Sequence, residues 1–405
     1  MKKYNIPFSP PDISEEEINE VIDTLKSGWI TTGPKTKELE RRLSEFTDTP
    51  KTVCLNSATA ALELTLRVLG IGEGDEVIVP AMTYTASCSV IYHVGAKAVI
   101  VDIAEDSHEM DYDVLADAIT ENTKAIIPVD LAGIPCDYDK IFEVVESKKH
   151  LFKANSEYQE KLGRVAVVAD GAHALGSTYK GKKIGSVADF TTFSFHAVKN
   201  FTTAEGGSVT WKQNENFDNE ELYREYQIYS LHGQTKDALA KTKAGSWEYD
   251  IVIPGYKCNL TDIAASIGVV QLDRYPKLLE RRENIISQYN KGFEGTRITA
   301  LSHNSEDYKS CGHLYITHVE GATFEQRGEI IVKMAERGIS CNVHYKPLPL
   351  LTAYKNLGFD IENYPNAYNY YVKEITLPLH TRLSDEDVAV IIENFKEIVE
   401  EVVGE

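Results

Sequence analysis

Residues 75–102 read DEVIVPAMTYTASCSVIYHVGAKAVIVD, and this stretch predicts the fold of the chain. Its two short apolar runs, DEVIVP and KAVIVD, are typical of strands that are buried on both faces of a sheet. The segment TASCSVIYHVG between them has the pattern of a helix. A strand, a helix and another strand in this order indicate a parallel sheet that is covered by helices.

The same alternation extends from about residue 50 to residue 210. Helices are predicted for SATAALELTLRVLG, DYDVLADAI and DYDKIFEVVESKK, and strands for KAIIPVD, VAVVAD, TTFSF and GGSVTW. The segment SKKHLFKANSEYQEKLGR is polar and irregular, so we expect a surface excursion there. The pattern therefore predicts an α/β fold with a mostly parallel sheet flanked by helices.

The pattern changes near residue 275. The stretch TDIAASIGVVQLDRYPKLLERRENIISQYNKGF predicts a long helix that is broken or bent near Pro276. Strands LYITHV and SCNVHY then alternate with helices TFEQRGEIIVKMAERG and SDEDVAVIIENFKEIVEEVV. We expect a large domain over residues 1–274, which includes N-terminal helices and a loop, and a smaller α+β domain over residues 275–405.

The composition excludes several classes of protein. A net charge of −20 in 405 residues argues against a nucleic-acid surface, which needs clustered Lys and Arg. No apolar run approaches the roughly 18 residues of a membrane-spanning helix, and MKKYNIPFSPPDISEEE lacks the apolar core of a signal peptide. The cysteines form no C-x-x-C pair, so we expect reduced thiols in a cytoplasmic protein, with no disulfide frame and no metal site. They are Cys54, Cys88, Cys136, Cys258, Cys311 and Cys341.

One lysine stands among aromatic residues in FSFHAVKNFTTAEGG, residues 193–207. In such surroundings Lys199 can lose its proton easily and become a nucleophilic amine. The alternative is a structural lysine whose stem packs on the aromatic rings while its tip reaches water. The window alone leaves both interpretations open.

Three further features precede this lysine. Ala58 and Thr59 open a helix in CLNSATAALEL, where backbone N–H groups suit a phosphate, although Ser and Thr also serve as ordinary N-caps. Tyr84 follows a strand and could lie flat on a planar ring, or pack in the core. In VAVVADGAHALG, Asp170 ends a buried run and needs a cation or donors, such as a pyridinium N–H or a structural partner; His173 follows it by one helical turn.

Together these features match one cofactor. A phosphate site, a stacking aromatic ring, a buried carboxylate and a poised lysine are what pyridoxal phosphate (PLP) requires of a protein. The lysine holds the aldehyde covalently, and the carboxylate keeps the ring nitrogen protonated. Ser194, five residues before Lys199, can add a hydroxyl group to the phosphate site.

The chain resembles the DegT/DnrJ-type family of PLP-dependent nucleotide-sugar aminotransferases, in the aspartate aminotransferase superfamily of folds. The resemblance covers nearly the whole chain. Its motifs are SGWITTGPKTKELE, NSATAALELTL, GDEVIVPAMTYTAS, IIPVDLAGIPCDYDKI, DGAHALGSTYKGKKIGS, FSFHAVKNFTTAEGG, GYKCNLTDIAASIGVVQLDR, VHYKPL and LPLHTRLSDEDV. It implies PLP fold type I, with a seven-stranded type of sheet in the large domain.

The resemblance also implies roles for individual residues. Lys199 would bind the cofactor and move a proton between two carbons of the reacting molecules. Asp170 would pair with the pyridine nitrogen, His173 would lie near the ring hydroxyl, and Tyr84 would stack on the ring. The phosphate would be held by Ala58, Thr59 and Ser194.

The family's homodimers use a GYNYRMTD-like loop to complete the neighbouring subunit's site. This chain reads GYKCNLTD at residues 255–262. Lys257 replaces the usual Asn and could bind the partner's phosphate as a point charge. Asn259 replaces a frequent Arg, which puts that contact in doubt.

The implied reaction moves an amino group from glutamate, which leaves as 2-oxoglutarate, to a nucleoside-diphosphate-linked keto sugar. AHALG with the Thr-Thr-Glu turn resembles members that act at the 4-keto position, so we expect a 4-keto-6-deoxyhexose, with a UDP-linked N-acetylated sugar as the candidate, for a surface glycan such as lipopolysaccharide or capsule. Sugar or nucleotide contacts are expected from Trp29, Thr31, Thr32, His344 and Tyr345. His344 and Tyr345 could equally be core residues of a strand.

Two other functions compete with this one. A dehydratase on the same scaffold, using PLP or its amino form pyridoxamine phosphate (PMP), would carry His in place of Lys199. A non-catalytic ligand-binding or regulatory homologue would not need to retain Lys199, Asp170 and Tyr84 together.

Overall fold

The computed structural model describes residues 4–236 and 248–404. Its helices are α1 Glu15–Ser27, α2 Pro34–Thr47, α3 Ala58–Val68, α4 Thr85–His93, α5 Tyr112–Ala118, α6 Tyr138–Ser147, α7 Glu157–Leu162, α8 Asn219–Ser230, α9 Asp262–Phe293, α10 Phe324–Glu336, α11 Thr352–Asn356, α12 Pro365–Lys373 and α13 Asp385–Val403. Its strands are β1 Thr52–Leu55, β2 Glu76–Pro80, β3 Lys97–Val101, β4 Thr123–Ile126, β5 Ala166–Asp170, β6 Thr178–Tyr179, β7 Lys182–Lys183, β8 Phe190–Ser194, β9 Gly207–Trp211, β10 Ile298–Ala300, β11 Tyr308–Lys309, β12 Tyr315–Val319 and β13 Glu374–Leu377.

Seven strands form the central sheet, in the order β1-β9-β8-β5-β4-β2-β3. Neighbouring strands from β3 to β8 are parallel, whereas β9 runs antiparallel to both β8 and β1. Strands β2 and β5 are buried along their whole length, because helices cover both faces of the sheet. The predicted α/β fold with a mostly parallel sheet is confirmed.

The carboxyl ends of the parallel strands meet at one edge of this sheet, where open α/β sheets place their ligands. Asp170 is the last residue of β5, and Ser194 is the last residue of β8. Tyr84 follows β2 and is the N-cap residue of α4. Sheet topology therefore brings together residues that are far apart in the sequence.

A second layer lies around the three-stranded sheet β10-β12-β13. Its apolar core includes Ile285 and Phe293 of α9, Met334 of α10 and Phe395 of α13. Ile6 joins this core, and its backbone pairs with Ile339. The boundary that we predict at residues 274/275 falls inside α9, and it stays a prediction.

Three local predictions differ from the structure. Helix α9 is unbroken at Pro276, while a bend there stays a prediction; Tyr275 and Leu278 pack in one core and Ile285 in the other, and this burial outweighs the cost of about 3 kcal/mol for an interior proline. SCNVHY is not a strand, since only Asn342 pairs with β13 before the chain turns to the sheet edge. SKKHLFKANSEYQEKLGR contains the short helix α7.

None of the helices in the described residues is both long and apolar enough to cross a membrane.

Candidate active site

A cavity of about 510 Å³ opens at the carboxyl edge of the central sheet. Nine of the predicted site residues line it: Ala58, Thr59, Tyr84, Asp170, His173, Ser194, Lys199, His344 and Tyr345. They come from two strand ends, two helix starts and the connections around them. Across the described ranges, no group of His, Cys, Asp and Glu side chains is arranged to hold a metal ion.

Asp170 lies at the buried end of this cavity. Its Oδ2 accepts a hydrogen bond of 2.6 Å from the Ser87 hydroxyl, and its Oδ1 accepts one of 3.1 Å from the Ala172 N–H. Burial raises the pKa of Asp170, while these two donors and the charge of Lys199 oppose the rise. A cationic N–H donor that enters the cavity would stabilise the carboxylate further.

Lys199 faces the same cavity. Burial lowers the pKa of Lys199 to about 8, although the carboxylate of Asp170 acts in the opposite direction. Its Nζ makes no hydrogen bond or ion pair within residues 4–236 and 248–404. More of this amine is therefore uncharged near neutral pH than in an exposed lysine, and both covalent bonding to an aldehyde and proton transfer require the uncharged form.

The tautomer of His173 follows from its partners. The Ala132 N–H donates a hydrogen bond of 3.3 Å to Nδ1, so Nδ1 carries no proton. Burial, with the nearby charge of Lys199, lowers the pKa of His173 well below its usual value, so the neutral ring keeps its proton on Nε2. Nε2 lies 3.2 Å from the Tyr345 hydroxyl and donates to it, which leaves the hydroxyl hydrogen of Tyr345 free for a ligand.

The start of α3 forms the other end of the cavity. Ser57 caps this helix through the Ala60 N–H, while the N–H groups of Ala58 and Thr59 find no acceptor in the part of the chain that the structure describes. A Cβ on Gly207 would lie 2.3 Å from the Ala58 nitrogen, so only glycine leaves this helix end in place. Free N–H groups at a helix N-terminus suit a phosphate.

These features fit pyridoxal phosphate. The start of α3, Asp170 and Lys199 all line one cavity. Tyr84 is 60% exposed, with its ring 5.8 Å from that of Tyr345, so one face of its ring remains available for stacking.

Four predicted residues lie outside this cavity. Lys257 Nζ donates to Asn259 Oδ1, and the Asn259 amide donates to the Thr32 hydroxyl. Trp29 Nε1 donates to the Thr32 carbonyl at 3.2 Å, and the Thr31 carbonyl accepts from the Asp262 N–H. The four residues thus form a second cluster, which does not line this cavity.

Sequence analysis missed several residues of the site. Ser87 lies one helical turn after Tyr84 in α4, and a serine at that spacing after the aromatic residue was the available signal. Gly207 had no signal beyond the Gly-Gly pair, because its role depends on the approach of β9 to α3. Ala132 adopts a positive φ of 60°, which a sequence pattern cannot reveal.

Comparison with known proteins supports the same chemistry. Residues 11–396 match the model of the DegT/DnrJ/EryC1/StrS aminotransferase family. The chain is 68% identical to the Streptococcus pneumoniae protein "Putative sugar aminotransferase Spr1654" in its apo-form, with a TM-score of 0.97 and 99% of each chain covered. The PMP-form and the PLP-form of that protein match at 69% and 68% identity, with TM-scores of 0.97 and 0.96, over 98% of this chain and 100% of theirs.

Two more distant relatives have names that state a biological process. Helicobacter pylori PseC, an aminotransferase involved in the biosynthesis of pseudoaminic acid, is 29% identical, with a TM-score of 0.85 over 98% of this chain and 100% of its own. The spore coat polysaccharide biosynthesis protein SpsC of Bacillus subtilis is 38% identical over 98% of both chains.

Proposed function

This chain belongs to the DegT/DnrJ/EryC1/StrS aminotransferase family, and from that premise we propose that it transfers the amino group of glutamate to carbon 4 of a nucleoside-diphosphate-linked 4-keto-6-deoxyhexose. It is a PLP-dependent sugar aminotransferase, and its cofactor alternates between PLP and PMP. The observation that carries the proposal is the amine of Lys199, which has no hydrogen-bond or ion-pair partner among the described residues and shares one cavity with the buried carboxylate of Asp170.

We assign the following roles to the residues of the cavity. Bound PLP supplies an electron-accepting ring that stabilises the charge left when a carbon acid loses its proton. Lys199 would hold its aldehyde carbon covalently, with loss of water, and its neutral amine, when free, would take up and return that proton. Asp170 would accept a hydrogen bond from the protonated ring nitrogen, and His173, whose Nε2–H donates to Tyr345, would orient the Tyr345 hydroxyl to donate toward the oxygen at the edge of the ring.

The phosphate and the ring plane have separate supports. The N–H groups of Ala58 and Thr59 and the hydroxyl of Ser194 would bind the phosphate, because all three residues line the same cavity. Tyr84 covers the ring. These positions keep the reacting atoms near Lys199 and exclude water from one face of the ring.

The sugar is the finer part of the proposal. AHALG at residues 172–176 and the turn Thr202–Glu205 follow the pattern of members that act at the 4-keto position, and a UDP-linked N-acetylated sugar is the candidate substrate. His344 and Tyr345 line the same cavity as Lys199, so they are placed to contact a keto sugar that reaches this amine. The names of PseC and SpsC support a product used in a surface glycan.

We also propose a homodimer with shared active sites. Helix α1 and its flanks expose five large apolar residues, which is typical of an interaction surface: Ile13, Ile18, Ile22, Leu25 and Ile30. An apolar groove joins Ile18 and Ile22 to Ala197 and Ala204, which flank the loop of Lys199. A second copy on this surface would bring its Lys257 cluster toward the cavity, and this explains why Trp29, Thr31, Thr32 and Lys257 do not line the cavity of their own subunit.

A panel of UDP- and dTDP-linked 3-keto and 4-keto sugars, incubated with glutamate and the holoenzyme, tests the function. We expect product NMR to show an amine at carbon 4 and stoichiometric 2-oxoglutarate. Amination only at carbon 3 would overturn the regiochemistry. Loss of a sugar hydroxyl without amine transfer would favour the dehydratase, and an absorbance spectrum that no amino donor changes would favour a binding protein.

A further inference from the structure

A hydrogen-bonded chain of three side chains runs from His344 through Thr376 to the buried carboxylate of Glu374. Nδ1 of His344 lies 2.9 Å from the Thr376 hydroxyl, and that hydroxyl donates a hydrogen bond of 2.5 Å to Oε1 of Glu374. The other carboxylate oxygen, Oε2, accepts from the His344 backbone N–H at 3.0 Å. All three residues are nine-tenths or more buried.

The direction of this chain follows from the number of hydrogen atoms in it. A threonine hydroxyl has one hydrogen, and an ionised Glu374 can only accept, so the hydrogen of Thr376 goes to Glu374. Thr376 must then accept from His344, which requires a proton on Nδ1. Burial lowers the pKa of His344 to about 3, so the ring is neutral and Nε2 carries only a lone pair.

The other ring nitrogen faces the cavity. His344 lines it, and Nε2 makes no hydrogen bond to any residue within the described ranges. The ring is also fixed in orientation, because Phe8 stacks on it with a centroid distance of 5.6 Å. In addition, the backbone of Asn342 is joined to that of Thr376 by two hydrogen bonds. Nε2 therefore has a fixed position in the wall of the cavity.

We propose that Thr376 and Glu374 are positioning residues that hold His344 as the Nδ1–H tautomer, so that Nε2 accepts a hydrogen bond from the sugar and selects substrates with a hydroxyl or amide N–H at that point. A carbonyl or phosphate oxygen there would face a lone pair and be disfavoured. The selectivity rests on the proposed sugar substrate, whereas the tautomer itself does not.

Protonation of Glu374 would reverse the direction of the hydrogen bonds that join Glu374, Thr376 and His344. Oε1–H would donate to Thr376, Thr376 would donate to Nδ1, and the ring proton would move to Nε2. Burial raises the pKa of Glu374 to about 7, while the nearby charge of Arg327 lowers it. The other titratable groups close to Glu374 are Cys341, Tyr345 and Tyr370, whose pKa values are raised, so they stay neutral.

This reversal supplies the test. In Glu374→Gln the amide oxygen can accept from the His344 N–H, while the amide N–H donates to Thr376, which imitates the protonated acid. Long-range 1H–15N spectra of 15N-histidine-labelled holoenzyme at about pH 8.5 report the tautomer, and His344→Gln identifies the signal. We expect an unprotonated Nε2 in the wild type and in Thr376→Ser, and a protonated Nε2 in Glu374→Gln.

Thr376→Val keeps the side-chain volume but removes the hydroxyl, so we expect the His344 ring in this variant no longer to favour the Nδ1–H tautomer. A protonated Nε2 in the wild type, or the same tautomer in Thr376→Val and Thr376→Ser, would overturn the proposal. Because these spectra need no sugar, their outcome is independent of the amination assay. With an active nucleotide sugar, Glu374→Gln should raise KM by about tenfold and change kcat less, since a lost hydrogen bond weakens binding before chemistry.

Discussion

The hydroxyl of Ser87 donates a hydrogen bond of 2.6 Å to Oδ2 of Asp170, and it lies 2.7 Å from the hydroxyl of Thr83, which donates to it in turn. This pair stabilises the ionised form of a carboxylate that burial would otherwise neutralise. We expect Ser87→Ala to raise the pKa of Asp170 further and to weaken PLP binding by about tenfold, since hydrogen bonds to charged groups contribute about 1.5–3 kcal/mol. Titration of the cofactor-free enzyme with PLP measures the change.

Ser89→Ala is the matched control, because Ser89 lies on the same helix and its hydroxyl contacts only the Ala86 carbonyl. It should bind PLP as the wild type does. Equal affinities for both variants would show that the Ser87 hydroxyl does not support Asp170.

The close approach of Gly207 to the α3 terminus gives a second prediction. In Gly207→Ala the new Cβ would meet the backbone of Ser57 and Ala58 at 2.4 and 2.3 Å, and backbone cannot move as a side chain can. We expect the free energy of unfolding to fall by about 1–3 kcal/mol and PLP binding to weaken, because the phosphate N–H groups shift. Thermal unfolding and PLP titration measure both effects.

Gly328→Ala serves as its control. Gly328 is in α10 and has no atom within 4 Å of an added Cβ, so alanine should stabilise the helix by about 0.5–1 kcal/mol. If Gly207→Ala were as stable as this variant, the contact between β9 and α3 would not be as tight as the structure has it.

The sequence predicts much of this site because of one rule. Tyr84, Asp170 and Ser194 stand at the ends of buried parallel strands, and strand ends of one sheet meet at one edge. The sequence does not predict the roles of Ser87 and Ala132. The role of Ser87 depends on helical spacing, and that of Ala132 depends on a rare backbone conformation.

The second cluster shows a different limit of sequence analysis. Trp29 and Lys257 could be assigned to a site from their motifs, but a motif does not say whether a residue lines the cavity of its own chain, and the structure places both outside it. SCNVHY illustrates a third limit, since extended residues such as His344 and Tyr345 can line a cavity without pairing in a sheet.

The amine of Lys199 should titrate below other lysines. Its pKa of about 8 arises from burial, so in the cofactor-free enzyme we expect its labelling by trace acetic anhydride to reach half-maximum near pH 8. Exposed lysines in the same digest should reach half-maximal labelling at about pH 10.4. Mass spectrometry of the peptide that contains Lys199 gives the profile directly.

Asp170→Asn sharpens this measurement. Because the Asp170 carboxylate favours the charged form of Lys199, its removal should shift the labelling midpoint to lower pH. If the labelling midpoint of Lys199 in the wild type equalled that of the exposed lysines, this amine would not be buried as the structure has it.

Buried neutral histidines should make the protein labile to acid. Burial lowers the pKa of His303 and of His318 to about 4, and it also lowers that of His108. Below the unfolded-state value of about 6.5 the unfolded chain binds protons that the folded state cannot, so stability is full above that pH and falls as the pH drops toward about 4. Denaturant unfolding between those pH values measures the slope.

His303→Gln should reduce that slope by about one proton, because it removes one of the groups that titrate only after unfolding. His150→Gln changes an exposed histidine and should leave the slope unchanged. Identical slopes for the two variants would mean that His303 is protonated in the folded protein.

Subunit mixing distinguishes a shared active site from a self-contained one. Lys199→Ala and Lys257→Ala should each be nearly inactive alone, since one removes the amine and the other removes a cation at the phosphate of the neighbouring subunit. In a heterodimer of the two, one of the two sites contains both lysines, so co-expression should restore about a quarter of wild-type activity. Lys199→Ala with Asp170→Asn is the control and should restore none, because both residues line the same subunit's cavity. Failure of the first pair to recover, with both variants dimeric in sedimentation experiments, would place Lys257 outside the partner's site.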